Sequence, residues 1–88
     1  MEGSNANLSN ADLNGAFMRA AKMNFANLKG ANLSYSDMRE VSLMGADLRG
    51  ADLYGANLAD AILRNAKYDR ETRWSKGFDP EPFGAKLT

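Results

Sequence analysis

The sequence predicts an all-β fold, a coil (solenoid) in which short extended pieces alternate with turns. Three observations predict it. An apolar pair, usually Ala with Leu two residues later, recurs every five residues. Neither an α-helix nor a continuous β-strand has that period. The residue that ends each group of five is Gly, Asn or Asp in eight of thirteen groups, and these types accept the positive φ of tight turns.

The repeat runs without a gap from Ala6 to Arg70 in thirteen consecutive groups of five. The first position is Ala in eleven groups, with Ser36 and Val41 as exceptions, and the third is Leu in nine, Met in three and Tyr68 in the last. Beyond Tyr68 the register breaks, because Arg73 falls at an inward position. We therefore divide the chain into an N-terminal lead-in (residues 1–5), thirteen repeats (6–70) and a C-terminal cap (71–88).

The period excludes both regular elements. On a helix, a step of five residues turns by about 140° and scatters the Leu side chains to all sides. On a strand, an odd step sends alternate Leu side chains to opposite faces. Within one repeat, however, Ala and Leu are two residues apart, so a three-residue extended piece directs both to one face and the last two residues turn the chain. Successive turns would stack at about 4.8 Å around a continuous apolar core.

The residues 46–58, ADLRGADLYGANL, show the pattern most clearly. The chain resembles the pentapeptide-repeat family, whose pattern is A-(D/N)-L-x-x. The resemblance implies a right-handed parallel β-helix of quadrilateral cross-section with four pentapeptides per coil, and therefore about three coils here. The tail DRETRWSKGFDPEPFGAKLT is similar to the ends of many bacterial, especially cyanobacterial, members.

Composition limits the classes of function. Eleven Lys and Arg balance eleven Asp and Glu, so no net charge steers the chain to nucleic acid or to an anionic membrane. The absence of Cys and His removes disulfides, the commonest general base and the commonest transition-metal ligands. No apolar run approaches the roughly 20 residues of a membrane span, and the first ten residues lack the features of a signal peptide. We expect a soluble, cytoplasmic protein without a cofactor.

The C-terminal cap contains Trp74, Phe78 and Phe83. Asp79 before Pro80 is typical of a helix start, here for about one turn. Because a solenoid must cover its ends, we interpret Trp74 and Phe78 as closing the last coil. The alternative is a ligand site that uses Trp74.

At the other end, residues 1–5 have no apolar residue after Met1 and no helical pattern. The first coil would therefore expose an apolar end. Two interpretations stay open: two chains stack through this end as a homodimer, or the chain is a C-terminal fragment whose upstream coils are missing. The candidate residues for end-to-end association are Leu8, Leu13, Met18 and Met23.

Outward aromatic residues form a second candidate surface. With four repeats per coil, Tyr35 lies at a corner between Gly15 and Gly55, and Phe17 and Tyr54 lie diagonally on either side of it. Exposed aromatic residues beside small residues suit a protein partner. The alternative is that they only shield the coil edges. Phe25 lies at a different corner, where we expect it to pack against the N-terminal segment.

These features favour a noncatalytic structural or protein-interaction module whose partner is unknown. The family resemblance adds an alternative, a DNA-mimicking protein that binds DNA gyrase, although such members are long and strongly acidic. We expect no enzyme, since no phosphate-binding loop, metal-ligand cluster or activated nucleophile occurs. The Gly residues are spaced in fives as turn residues and do not form a nucleotide motif.

Overall fold

Each coil of the backbone pairs with the next coil through parallel β bridges between residues that are four repeats apart. The computed structural model describes all 88 residues. Parallel β pairing joins single residues twenty positions apart, from Glu2 with Lys22 through to Asp47 with Lys67. Four pentapeptides therefore complete one circuit of the chain, which confirms the number implied by the family resemblance.

Each repeat ends in a tight turn. The N–H of a repeat's first residue donates to the carbonyl of the preceding repeat's third residue, as from Ala11 to Leu8 at 3.1 Å. The fifth residue has a φ of +59° to +74° at all thirteen such positions from Asn5 to Asn65, whereas no fourth residue has a positive φ. This combination identifies type II turns. Such turns favour Gly at the fifth position, yet Phe25, Tyr35 and Glu40 also adopt the left-handed conformation.

The Asn or Asp at the second position of a repeat holds the turn that follows it. Its side-chain oxygen accepts a hydrogen bond from the backbone N–H two residues ahead, at 3.0 to 3.3 Å. This Asx turn explains in physical terms why the repeat prefers these two residue types. The eight residues that form it are Asn7, Asp12, Asn27, Asn32, Asp37, Asp47, Asp52 and Asn57.

The core is a stack of inward side chains from the first and third positions. Twenty-one apolar residues are buried in one continuous cluster. Leu33, Leu48 and Leu53 are completely enclosed, and so are the small inward residues Ala31 and Ala51. The alternation of Ala with Leu therefore fills a narrow interior without leaving either residue exposed.

Residues 1–5, which the sequence suggested to be a lead-in, follow the same course as a repeat. Gly3 donates its N–H to the Lys22 carbonyl at 2.7 Å and occupies the third position. A Cβ on Gly3 would lie 2.6 Å from the Met23 sulfur, so this segment covers Met23 closely. Met23 is consequently buried, at 0% exposure. Met18 is buried as well, at 1%, so the expected place of these two residues on an exposed end was wrong.

The register shifts by one residue after Tyr68. Asp52 pairs with Arg73, twenty-one positions along the chain, so Arg73 points outward. Thr72 is buried and donates its hydroxyl to the Leu48 carbonyl at 2.8 Å. Asp69 stabilises the inserted residue, because its Oδ1 accepts the N–H groups of Gly50, Glu71 and Thr72.

The tail then folds back over the last coil. Strand β1, Lys67–Tyr68, pairs in parallel with β2, Lys86–Leu87. Between them lies a 3-10 helix, Glu81–Phe83, that follows Pro80. Asp79 Oδ1 accepts the N–H of Glu81 at 3.1 Å, which confirms the predicted short helix start. That helix is far too short to cross a bilayer, and no longer one occurs.

Candidate interaction surfaces

Tyr35 and Tyr54 form the centre of a surface on one side of the coil. Tyr35 occupies a fifth position with a φ of +59°, and 63% of its surface is exposed. Its ring lies against Gly55 in the next coil, where a Cβ would come within 2.5 Å of the Tyr35 Cδ1 atom. The backbone conformation and the missing side chain at residue 55 together hold the ring in one place.

Tyr54 and Arg73 complete this lateral surface, which we define as Tyr35, Tyr54 and Arg73. The two tyrosine rings are 5.9 Å apart and nearly perpendicular, an edge-to-face contact. The Arg73 guanidinium carbon lies 4.2 Å from the centroid of the Tyr54 ring, within range of a cation–π interaction. Asp52 anchors both neighbours: its Oδ1 accepts the N–H of Tyr54, and its Oδ2 lies 3.5 Å from Arg73 Nη1.

Sequence reasoning missed Arg73 as a member of this surface. In an unbroken register of five, residue 73 would point inward, and the one-residue shift after Tyr68 brings it outward instead. The presence of a charged residue at an expected core position was the available signal, because a buried unpaired Arg is strongly disfavoured.

Two more aromatic residues, Phe17 and Phe25, also point outward. Phe17 is 89% exposed and forms no ring pair with either tyrosine. Its backbone pairs with Asp37. The Phe25 ring leans toward the following coil and lies against Gly45, with a prospective Cβ only 2.5 Å from the ring. Phe25 therefore packs on Gly45, the same arrangement that Tyr35 makes with Gly55.

Three aromatic rings of the cap and Tyr68 of the last repeat form a row. Trp74 contacts Tyr68 edge-to-face at 5.6 Å and stacks on Phe78 at 5.3 Å, and Phe78 stacks on Phe83 at 5.3 Å. Trp74 and Phe78 pack against the core, whereas Phe83 is 49% exposed. The Trp74 ring thus contacts other residues of the cap, and its buried Nε1 has no hydrogen-bond partner.

Two ion pairs repeat the same local geometry on the outer surface. Arg39 and Arg49 each donate two hydrogen bonds, at 2.6 to 2.9 Å, to the Asp two residues before, Asp37 and Asp47. The Arg39 hydrogen bond lowers the pKa of Asp37 to about 2. Arg19 and Glu40 form a more exposed pair at 3.4 Å. The Asp37 and Asp47 carboxylates are thus paired with Arg and also hold turns, an arrangement that suits a structural role.

A polar groove of about 550 Å³ follows one corner of the coil. Two of its four charged side chains are engaged, since Arg49 pairs with Asp47 and Asp69 accepts backbone N–H groups. The groove is lined by Ser9, Asn10, Asn27, Lys29, Gly30, Arg49, Gly50, Asp69 and Glu71. No group of three or more carboxylates is arranged to hold a metal ion.

Comparison with known proteins finds a family model and solved structures that are similar to this chain. The family model described as pentapeptide repeats matches residues 4–39 and 26–65, with eight copies. Among curated proteins the search found no match. The solved structure of alr5209, a pentapeptide repeat protein from Nostoc PCC 7120, is 35% identical with a TM-score of 0.59, covering 99% of this chain and 80% of that one.

Two further solved structures are similar. Rfr23, a pentapeptide repeat protein from the cyanobacterium Cyanothece 51142, is 33% identical with a TM-score of 0.58, over 83% of this chain and 53% of that one. A pentapeptide repeat protein from the thylakoid lumen of Arabidopsis thaliana is 26% identical with a TM-score of 0.53, over 96% and 59%. The chain thus spans less than two thirds of both proteins. These neighbours imply a right-handed quadrilateral β-helix. With eight copies of the repeat matched across residues 4–65, the chain belongs to the pentapeptide-repeat family.

Proposed function

We propose that the chain is a noncatalytic structural and protein-interaction module that binds a protein partner through the lateral surface of Tyr35, Tyr54 and Arg73. The observation that carries the proposal is the fixed position of an exposed aromatic pair. Tyr35 is 63% exposed, yet its ring is held by Gly55 and by the edge of Tyr54. An aromatic ring that is already ordered loses little conformational entropy when a partner binds.

The chemistry of the surface indicates the kind of partner. The tyrosine rings offer apolar faces, and Arg73 beside them offers a cation. The acidic partner of that cation, Asp52, lies 3.5 Å away. Tyr and Arg are the residue types that most often dominate binding at protein interfaces. We therefore expect a protein segment with an apolar side chain for the two rings and an acidic group for Arg73.

A noncatalytic role is supported by the composition and by the use of the polar groups. The sequence lacks His and Cys, and the Asp residues at the second position of the repeats cap turns. The DNA-mimicking alternative has no observation in its favour, because the eleven acidic residues are balanced by eleven basic ones.

The test compares Tyr35→Ala with Phe25→Ala. Both positions are exposed, have a φ near +60° and place an aromatic ring on a glycine of the next coil, so the two variants alter the backbone equally. Only Tyr35 has a ring partner in the lateral surface. Proteins that co-purify with each variant would be quantified by mass spectrometry, and the affinity of any specific partner would then be measured by calorimetry.

We expect a partner that binds the wild type and Phe25→Ala alike but binds Tyr35→Ala at least about 30-fold more weakly, as at an interface hot spot. Thermal unfolding should show that both variants remain folded. A partner that binds Tyr35→Ala as tightly as the wild type would contradict the proposed surface.

A further inference from the structure

Asn14 is the only asparagine of this chain that precedes a glycine. The other eight are followed by Ala, Leu or Phe. An asparagine side chain can react with the backbone nitrogen of the next residue, and a Cβ on that residue hinders the approach. Because glycine has no Cβ, the nitrogen of Gly15 is the least hindered of the nine.

The reaction at such a pair needs only water. The Gly15 nitrogen gives its proton to solvent and attacks Cγ, the carbonyl carbon of the Asn14 side chain. A bond forms between these two atoms, the bond from Cγ to Nδ2 breaks, and the side-chain nitrogen takes up a proton and leaves as ammonia. Water then opens the five-membered succinimide ring at either carbonyl, which gives aspartate at residue 14 or its isomer isoaspartate.

In the folded protein, both reacting groups are bound to Ser34 in the next coil. The Asn14 Nδ2 atom donates to the Ser34 hydroxyl at 2.8 Å and to the Ser34 carbonyl at 3.1 Å. The Gly15 N–H donates to the same carbonyl at 2.9 Å. The leaving nitrogen and the attacking nitrogen are therefore held by one residue.

Ser34 is itself fixed in place. It is 7% exposed, and its hydroxyl donates to Asn32 Oδ1 at 2.6 Å. Its backbone N–H donates to the same oxygen at 3.1 Å. The acceptors that Ser34 offers to residues 14 and 15 are thus positioned by the Asx turn of the next coil.

The turn also keeps the reacting atoms apart. Asn14 and Gly15 are the two central residues of a type II turn. Such a turn places its first central residue at a ψ of about +120°, which directs the Gly15 nitrogen away from the side chain of residue 14. Ring closure requires rotation of the peptide between the two residues, and that rotation breaks the hydrogen bond from Gly15 to Ser34.

We propose that Asn14 is a site of spontaneous deamidation that Ser34 keeps unreacted in the folded protein. The succinimide forms only while the turn at residues 14–15 is detached from the next coil. The rate of the reaction therefore follows the fraction of time for which this turn is open. The proposal does not depend on the lateral surface, since no residue of that surface takes part.

The product does not restore the original contacts. Aspartate at residue 14 presents a carboxylate oxygen to the Ser34 carbonyl, so two acceptors face each other and both donated hydrogen bonds are lost. It also adds a negative charge beside Asp12, whose Oδ1 accepts the N–H of residue 14 at 3.1 Å. Isoaspartate lengthens the backbone by one carbon and displaces residue 15 from its bond to Ser34. The modified turn is therefore held less firmly than the original one.

Asn24 is the matched control within the chain. It has the same repeat position and also bonds to the next coil, where its Oδ1 accepts the Met44 N–H at 3.2 Å and the Ser42 hydroxyl. It precedes Phe25 rather than a glycine. Asn24 and Asn14 therefore share the position in the turn and differ in the residue whose nitrogen must attack.

The experiment follows both asparagines by mass spectrometry of peptides from the whole chain, held in mildly alkaline buffer with and without denaturing urea. Chromatography separates the aspartate and isoaspartate products. In urea we expect Asn14 to react at least about tenfold faster than Asn24, because only Asn14 precedes a glycine. In the folded chain, Asn14 should react at least about tenfold more slowly than it does in urea.

Three variants separate the route of the reaction from its control by Ser34. Gly15→Ala should suppress the reaction in urea, since a Cβ hinders the attacking nitrogen. Ser34→Ala removes the hydroxyl that accepts from Asn14 and should raise the rate in the folded chain roughly fivefold. Asn57→Ala removes a turn hydrogen bond in a later coil and should leave the rate at Asn14 unchanged within about twofold.

A fourth variant, Asn14→Asp, tests the consequence of the modification. It lacks the amide donors and should unfold at a lower urea concentration than the wild type. Stability equal to that of the wild type would contradict a role for the Asn14 hydrogen bonds in holding the turn.

Other results would overturn the proposal as well. If Asn14 reacts equally fast in the folded chain and in urea, the next coil does not protect it. If Ser34→Ala reacts as the wild type does while circular dichroism shows both folded, or if Asn57→Ala speeds the reaction as much, Ser34 does not control the reaction. If residue 14 yields aspartate without isoaspartate, or if Gly15→Ala reacts as fast, the product arises by direct hydrolysis rather than through the ring.

Discussion

The Tyr35 ring lies against Gly55, twenty residues further along the chain and one coil above it. A Cβ at residue 55 would come within 2.5 Å of the Tyr35 Cδ1 atom, a distance that real Cβ atoms do not tolerate. Phe25 and Gly45 repeat the relation at another corner. Corner residues of successive coils are therefore packed in columns, and an aromatic ring at a corner requires glycine above it.

Gly55→Ala should destabilise the protein by more than Gly15→Ala. Both glycines have a φ near +70°, so alanine at either position adopts an unfavourable left-handed conformation at a cost of about 1 kcal/mol. Nothing lies within 4 Å of a Cβ at Gly15, whereas a Cβ at Gly55 collides with the Tyr35 ring. Urea denaturation gives the free energy of unfolding of each variant, and the difference between the two values is the cost of the collision.

The double variant Gly55→Ala with Tyr35→Ala provides the control. Removal of the ring should abolish the extra destabilisation, so that the double-mutant cycle yields a favourable coupling between the two changes. Equal losses of stability in Gly15→Ala and Gly55→Ala would show that the ring contact does not constrain residue 55.

Leu33→Ala should lower the free energy of unfolding by about 2–5 kcal/mol. Leu33 is completely enclosed in the middle of the stack, so its truncation leaves a cavity that coils above and below cannot fill. Leu13→Ala is the matched control, because Leu13 has the same repeat position but lies partly exposed in the first coil. Chemical denaturation should give a clearly smaller loss for Leu13→Ala, and equal losses would contradict a core centred on the middle coils.

Asn57→Ala should destabilise the protein by about 0.5–1 kcal/mol, because the turn loses its side-chain hydrogen bond. The Asn57 Oδ1 atom accepts the N–H of Ala59 at 3.1 Å, and the side chain is otherwise exposed. Asn57→Asp keeps an acceptor oxygen and should retain most of the stability. Thermal unfolding of the two variants would test the assignment, and a loss as large in Asn57→Asp as in Asn57→Ala would refute it.

The pKa of Asp37 should be close to 2 in the folded protein, because the Arg39 guanidinium binds the ionised carboxylate. The folded pKa lies below the ordinary 3.8. The Asp37–Arg39 ion pair therefore makes its full contribution to the free energy of unfolding above about pH 4, and this contribution is lost as the pH falls toward 2. Carboxyl ¹³C shifts measured by NMR against pH give the value directly.

Arg39→Gln is the control for this titration. Without the guanidinium, the pKa of Asp37 should rise toward its ordinary value, and the protein should lose less stability between about pH 4 and pH 2 than the wild type does. An unchanged titration of Asp37 in Arg39→Gln would show that Arg39 is not the cause of the low pKa.

Much of the fold was predictable from the period of five residues. Ala and Leu two positions apart, with Gly, Asn or Asp closing each group, define an extended piece followed by a turn, and the structure contains that turn at each of the thirteen fifth positions from Asn5 to Asn65. The number of repeats per coil came from the family resemblance, since the period alone does not fix how many turns close a circuit. The pairing of residues twenty positions apart confirms four.

The roles of several residues were not predictable, because each depends on a partner in another coil or on backbone geometry. The second-position Asn and Asp residues form Asx turns only on a particular backbone path. Their role can therefore be recognised only once that path is known. Gly3 and Met23 come together only because residues 1–5 continue the coil. Sequence reasoning grouped Tyr35 and Tyr54 with Phe17 as a candidate surface. It did not include Arg73, whose contact with Tyr54 depends on the extra residue before it.

Local sequence therefore determined the course of the coil, because every turn is closed by hydrogen bonds among residues within a few positions of one another. It did not determine the two ends or the outer surface. The C-terminal tail is held by β pairing between residues nineteen positions apart and by contacts among its aromatic rings. Those features arise from stacking, which exists only after the chain has folded.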